Sequence, residues 1–196
     1  VFYADREYID FNDLEHKDED LTIEFFDFNS KSKSELKNTL NKIVPGYRLQ
    51  RDISRYDHKT HWELVIAYWR DVPVGCNWIL NIPHDNFIFD SFIHDSGQVL
   101  LGSSFVVNEF RGRGINKLIR KKALKYVFEN YENKLPVSIV EKSNISSIKS
   151  NYGVGAKLYG RNYLIKLLKH NIFSVLIKKD KTIKFWFLLK YKQTLY

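Results

Sequence analysis

The sequence holds one cysteine and no methionine, and it lacks internal repeats, low-complexity linkers and long apolar runs. Each absence removes a class of answer. A lone Cys76 forms no internal disulfide, which excludes a disulfide-stapled scaffold and fits a reducing, cytoplasmic setting. No uninterrupted apolar stretch approaches the ~20 residues that a membrane-spanning helix needs. No signal peptide is visible, and a start at Val1 leaves room for processing or trimming. His84 and His94 with Asp85, Asp90 and Asp95 match no recognised ligand spacing, so no metal is expected.

What remains is an ordinary globular composition, 44% hydrophobic and 28% charged over 196 residues. One domain spanning residues 1–196 buries a proper core at this length. The net charge of +8 is unevenly spread. Residues 1–30 carry ten acidic and two basic side chains, a net of −8, which leaves +16 for residues 31–196. The acidic N-terminal segment reads as a solvated face. The basic body suits an anionic partner: a phosphorylated cofactor, a nucleic acid or a membrane surface.

Periodicity organises the chain. Leu21, Ile23 and Phe25 alternate in a short strand, and Leu36, Leu40 and Ile43 repeat at helical spacing until Pro45-Gly46. "HWELVIAYW" and "PVGCNWILNI" read as two strands joined by a turn around Arg70–Pro73. Residues 83–97, polar and aromatic together, read as a functional or lid-like loop. "QVLLGSSFVV" is a further strand, followed by a basic amphipathic helix on Ile115, Leu118, Ile119, Ala123, Tyr126 and Val127. "PVSIVE" is a short buried strand, "NISSIKSNYGVGA" a turn into a helix, and the remainder three strands separated by Lys-rich turns.

The corner at Arg111-Gly112-Arg113-Gly114 carries the chemistry. A strand, a glycine turn and a helix start leave backbone N–H groups pointing outward, at the positive end of the helix dipole. That arrangement suits a pyrophosphate, and Arg113, Lys117 and Lys121 are available for further phosphate charge. A dinucleotide fingerprint would need a third glycine further into the helix, and a P-loop would need Gly-Lys-Ser/Thr; neither is present.

"VVNEFRGRGINKLI" resembles motif A of the Gcn5-related N-acetyltransferases, Gln/Arg-x-x-Gly-x-Gly/Ala, with Arg111 first, Gly114 fourth and Asn116 where Gly or Ala is usual. About thirty residues on, "NISSIKSNYGVGAKLYG" is similar to the family's second region. Asn144, Ser147 and Gly155 match, Asn151 stands in the usual Tyr position with Tyr152 next, and Ala156 replaces Phe. The resemblance covers roughly residues 61–160. It implies an α/β (α+β) fold with a mixed, twisted central sheet, helices on both faces and a splay between the fourth and fifth strands. It further implies acetyl-CoA as cosubstrate. Val106 and Val107 would lie beside the thioester, and Arg111, Gly112, Arg113, Gly114, Ile115 and Asn116 would cradle the pyrophosphate, with Asn144 and Ser147 contributing.

Acetyl transfer needs a neutral amine, a donor for the thioester oxygen and an exit for the thiolate. The resemblance puts the oxygen's donor at a backbone N–H near Val107. Asp90, His94, Asp95 and Glu141 are candidates for the base, and Tyr152 for the acid, with Tyr159 and Tyr163 further off. The reading implied is an N-acetyltransferase acting on a small primary amine, with amino sugars, amino acids and polyamines as acceptors. The aromatic loop favours an amino sugar. Aminoacyl or longer-chain acyl transfer, and a non-enzymatic acyl-CoA- or nucleic-acid-binding module, are the alternatives. No RNA or DNA motif is present, so no nucleic-acid partner is expected. The C-terminal "IKFWFLLKYK" reads as an edge strand guarded by lysines, with membrane contact the lesser reading, and the oligomeric state is open.

Overall fold

A computed structural model describes residues 1–14, 19–85, 87–89, 92–167 and 170–187. The main sheet has seven strands: β1 (Phe2–Tyr3), β2 (Leu21–Phe25), β3 (Trp62–Trp69), β4 (Val72–Asn81), β7 (Gln98–Val106), β8 (Leu135–Ser138) and β9 (Lys157–Leu158). Their spatial order is β2-β3-β4-β7-β8-β1-β9. β7 and β8 run parallel, and the other described pairs of this sheet are antiparallel.

Helices cover both faces, which is why β3 and β4 read as near-continuous apolar runs. Leu64, Ile66, Cys76, Trp78 and Leu80 face α1 (Lys33–Ile43) and α2 (Gly46–Ser54). Val65, Ala67, Ile79, Val99 and Leu101 face α3 (Ile115–Asn130), which presents Ile115, Ile119, Ala123 and Val127. α4 (Ile145–Gly153) packs beside α3. α1 starts in a capping box, Ser32 with Glu35, and buries Leu36 and Leu40 completely. Each such leucine contributes about 1.5–3 kcal/mol.

The last three strands, β10 (Gly160–Leu167), β11 (His170–Lys178) and β12 (Ile183–Phe187), form a separate antiparallel sheet. The expected strand "TIKFWFLL" and the segment "IKFWFLLKYK" run past Phe187 and lie in part outside the described residues. Among the described residues no helix is long and apolar enough to cross a membrane.

Three expectations need correction. Pro45-Gly46 ends α1 but does not end helix: α2 begins at Gly46. Its apolar repeat is too thin to see, because buried charge rather than an apolar stripe holds it. Residues 83–97 contain a hairpin, β5 (Phe87–Phe89) and β6 (Phe92–His94). The side chains of Phe87, Phe89 and His94 are buried, and Asp85 Oδ1 accepts from Ser96 N and Oγ at 2.7 and 2.6 Å to close its base. The acidic N-terminus, finally, is more than a solvated face. β1 pairs with both β8 and β9, and Phe2, Ala4 and Ile9 are buried.

Candidate active site

β7 delivers the chain to the glycine corner, and the corner opens α3. Gly112 and Gly114 have φ of 80° and 76°, the left-handed region that a side chain disfavours. Nothing lies within 4 Å of where a Cβ would stand on either, so both face open space. The first intrahelical bond runs from Leu118 N to Gly114 O at 3.2 Å. The N–H groups of Gly114, Ile115 and Asn116 therefore have no partner among the described residues. Amides and dipole at a helix start point out along its axis, and the glycines leave the space beside them clear.

Side chains brace the corner. Arg111 Nε donates to Val106 O at 3.0 Å, and its guanidinium lies over Phe105. Arg113 sits over both Trp69 and Phe110, at 5.4 and 5.2 Å from the ring centroids. Asn116 Nδ2 donates to Ser150 Oγ at 2.8 Å, which ties the first turn of α3 to α4. Lys121 is buried, contrary to its expected availability for phosphate.

Beside the corner the sheet comes apart. β7 pairs with β8 only through Gln98↔Leu135, Val99↔Pro136 and Leu100↔Val137, although β7 continues to Val106. Opposite the opening, one residue of β4, Asn77, faces two of β7, Ser103 and Ser104. Ser103 takes a φ of 52° in this bulge. Val107 N donates to Val74 O at 2.9 Å, so Val107's own amide is committed to the ladder. N–H directions alternate along a strand, so the Val106 N–H points to the side that β8 has left.

α2 braces the bulge with buried charges that the sequence did not single out. Asp52 is fully buried between Arg48 and Arg55, with N–O distances of 3.3 Å to each. Both arginines reach across to the bulge: Arg48 Nη2 donates to Ser103 O and Arg55 Nη2 to Ser103 Oγ, each at 2.8 Å. Arg55 also lies over the rings of Trp62 and Trp78, at 4.4 and 4.8 Å. The signal was present as Arg-x-x-x-Asp-x-x-Arg, charges spaced to share one face of a helix.

The other candidates scatter. Asn151 is buried on α4, where its Oδ1 accepts from Arg120 Nη2 at 2.7 Å and its Nδ2 donates to Ser147 O at 2.8 Å. Tyr152 is 55% exposed and stands edge-on to Phe2, 5.1 Å between ring centroids. Asn144 Oδ1 is occupied in capping α4, accepting from Ser147 N at 3.0 Å. Glu141 does not end the strand: β8 stops at Ser138, and Glu141 is exposed in the following turn. Asp90 lies outside the described residues. Asp95 pairs with Lys184 at 2.9 Å, and His94 is buried with Nδ1 3.3 Å from Gln98 Oε1. Burial pushes the Cys76 thiol up to about 12, which removes it as a nucleophile. Among the described residues no three His, Cys, Asp or Glu side chains gather as a metal site.

The sequence matches no protein-family model and no curated protein. Solved structures do match. Aminoglycoside N-acetyltransferase AAC(6')-Iy in complex with CoA is 16% identical, covers 76% of this chain and 95% of its own, and gives a TM-score of 0.56. yncA from Salmonella typhimurium, with its cofactor acetyl-CoA, is 14% identical over 86% of this chain and 94% of its own, at a TM-score of 0.52. A tandem GNAT protein from the clavulanic acid biosynthesis pathway is 14% identical over 80% of this chain and 48% of its own, at 0.58. At such identities the likeness is one of architecture, and the chain has the fold of the Gcn5-related N-acetyltransferases.

Proposed function

We propose that the chain is a cytoplasmic, acetyl-CoA-dependent N-acetyltransferase that acts on a primary amine of a small molecule, an amino sugar or an amino acid. One observation carries this reading. A left-handed glycine corner with unpartnered amides opens α3, one 3-10 turn (Asn108–Phe110) beyond the strand that parts from its parallel neighbour. The pyrophosphate would sit on the amides of 114–116, and the pantetheine arm would enter between β7 and β8. The solved structures crystallised with CoA or acetyl-CoA on the same fold support it.

In this reading the amine attacks the thioester carbonyl directly, and the C–S bond breaks as the C–N bond forms. Negative charge grows on the carbonyl oxygen, and the Val106 N–H is the amide turned towards it. The amine's proton passes to water in the splay. The thiolate leaves without a dedicated side-chain acid, because a free thiol's pKa already lies within reach of neutral pH. The test is thiol release from acetyl-CoA over a panel of amino sugars, amino acids and polyamines, alongside calorimetry of CoA binding. Tight CoA binding with amine-dependent thiol release is expected; a chain that binds no CoA is not this enzyme.

A further inference from the structure

A second cavity of about 440 Å³ lies away from the cofactor corner, where the end of β2 and the start of β3 meet the C-terminal half of α3. Its volume falls in the range of small-molecule sites. Tyr126 lines it, eleven residues beyond the start of α3, about 16 Å along the helix at 1.5 Å per residue. Phe25, Phe26 and Phe28 supply the other aromatic wall, and Asp27, Asn29, Lys59, Thr60 and Glu63 the polar one. Phe25 and Tyr126 are tilted against one another with centroids 4.5 Å apart.

One carboxylate faces this aromatic space without a cation. Glu63 is half-buried, and Tyr126 Oη donates to its Oε1 at 3.2 Å. Its Oε2 makes no hydrogen bond or ion pair among the described residues. The neighbouring charges are committed elsewhere. Lys59 Nζ donates to Phe28 O at 2.8 Å and lies over Tyr56, while Asp27 accepts from Asn29 N, Ser30 N and Ser30 Oγ. Burial raises the Glu63 carboxyl above its ordinary value, as expected of a carboxylate that lacks its counter-ion.

We propose that this cavity is a second ligand site, taking a small organic ammonium ion whose nitrogen meets Glu63 and whose body lies on Phe25 and Tyr126. An N–H donor satisfies the open oxygen, and a cation over aromatic faces gains from their quadrupoles. The site stands on its own geometry and does not depend on the acetyltransferase reading.

The test is calorimetry on the full chain with benzylammonium chloride, using benzyl alcohol as the neutral analogue, with and without saturating coenzyme A. One-site binding in about the millimolar range or tighter is expected, with the alcohol at least ~10-fold weaker. Glu63→Gln keeps an acceptor for Tyr126, so it should not lower the melting temperature and should preserve coenzyme A affinity, yet lose benzylammonium binding ~10-fold or more. Thr60→Trp, at the exposed rim, should block the same binding without touching Glu63. No saturation by about 10 mM, equal affinity for the alcohol, retention in Glu63→Gln, or displacement by coenzyme A would each overturn the proposal.

Discussion

Arg120 on α3 donates from Nη2 to Asn151 Oδ1 on α4 at 2.7 Å, and both side chains are sealed from solvent. Ser138 Oγ, at 2.9 Å, is the guanidinium's second acceptor, and no carboxylate pairs with it among the described residues. Burial accordingly lowers its pKa to about 10, still charged at neutral pH. Asn151→Ala removes an acceptor from a buried cation and should cost about 2–3 kcal/mol of stability. Asn151→Asp keeps the acceptor, adds the missing counter-charge and should be at least as stable as the parent chain. Urea midpoints measure both, and an alanine variant with an unchanged midpoint would remove Asn151 from the network's support.

That pair also bears on Tyr152. Asn151 occupies the position where the family resemblance led one to expect an acid, and Tyr152 follows it in a regular helix that runs to Gly153. One residue turns a side chain by about 100°, which sends Tyr152 onto Phe2 and into solvent. Tyr152→Phe should therefore leave turnover within about threefold of the parent chain. A drop of about 100-fold at unchanged acetyl-CoA affinity would restore Tyr152 as the acid.

The sequence showed β3 and β4 as apolar runs bounded by a turn, and α3 by its three- and four-residue apolar steps. It hid elements held by something else. α2 has only Leu49 and Ile53 as apolar anchors and is fixed by Asp52, Arg48 and Arg55, which read as surface charge until the bulge at Ser103 is seen. The β5–β6 hairpin was masked by its polar flanks, although Phe87 and Phe89 keep the strand period of two. The glycine corner was legible because left-handed backbone at an open approach demands glycine. Which amide near Val107 stays free was not, since ladder register decides between Val106 and Val107.

Asp52 holds two arginines that converge on Ser103. Removing the carboxylate in Asp52→Ala leaves Arg55, 1% exposed, without its counter-ion. Breaking a buried pair from one side costs about 3–5 kcal/mol, and that loss should appear in the denaturant midpoint. Replacing the residues together, Asp52→Leu with Arg55→Met, should recover most of it. If the single variant is as stable as the parent chain, the cluster does not hold α2 to the bulge.

Glu63 gives a pH dependence of definite sign. Its folded pKa is raised by burial above the unfolded value, so the folded state binds more protons across that interval. Its contribution is fully present below the ordinary carboxylate value and is lost as pH rises through the raised one. Glu63→Gln removes this term and should gain stability relative to the parent chain between acid and neutral pH. Urea midpoints of the two proteins at several pH values check the sign; a gap that narrows as pH rises would contradict it.

The glycine corner makes the sharpest prediction for cofactor affinity. Gly114 caps α3 at a φ of 76°, and a side chain there faces a left-handed penalty of about 1–2 kcal/mol. Its Cβ would also project into the open space beside the amides of 114–116, so a bulky residue takes the anion's place. Gly114→Val should lower CoA affinity by about 100-fold or more while the protein stays folded, because no neighbouring atom is struck. Arg113 differs: it is exposed and held over Trp69 and Phe110, so Arg113→Ala should weaken binding by no more than about fivefold. Calorimetry of CoA with the two variants separates an amide cradle from a cationic one. If Arg113→Ala loses more affinity than Gly114→Val, side-chain charge and not backbone holds the pyrophosphate.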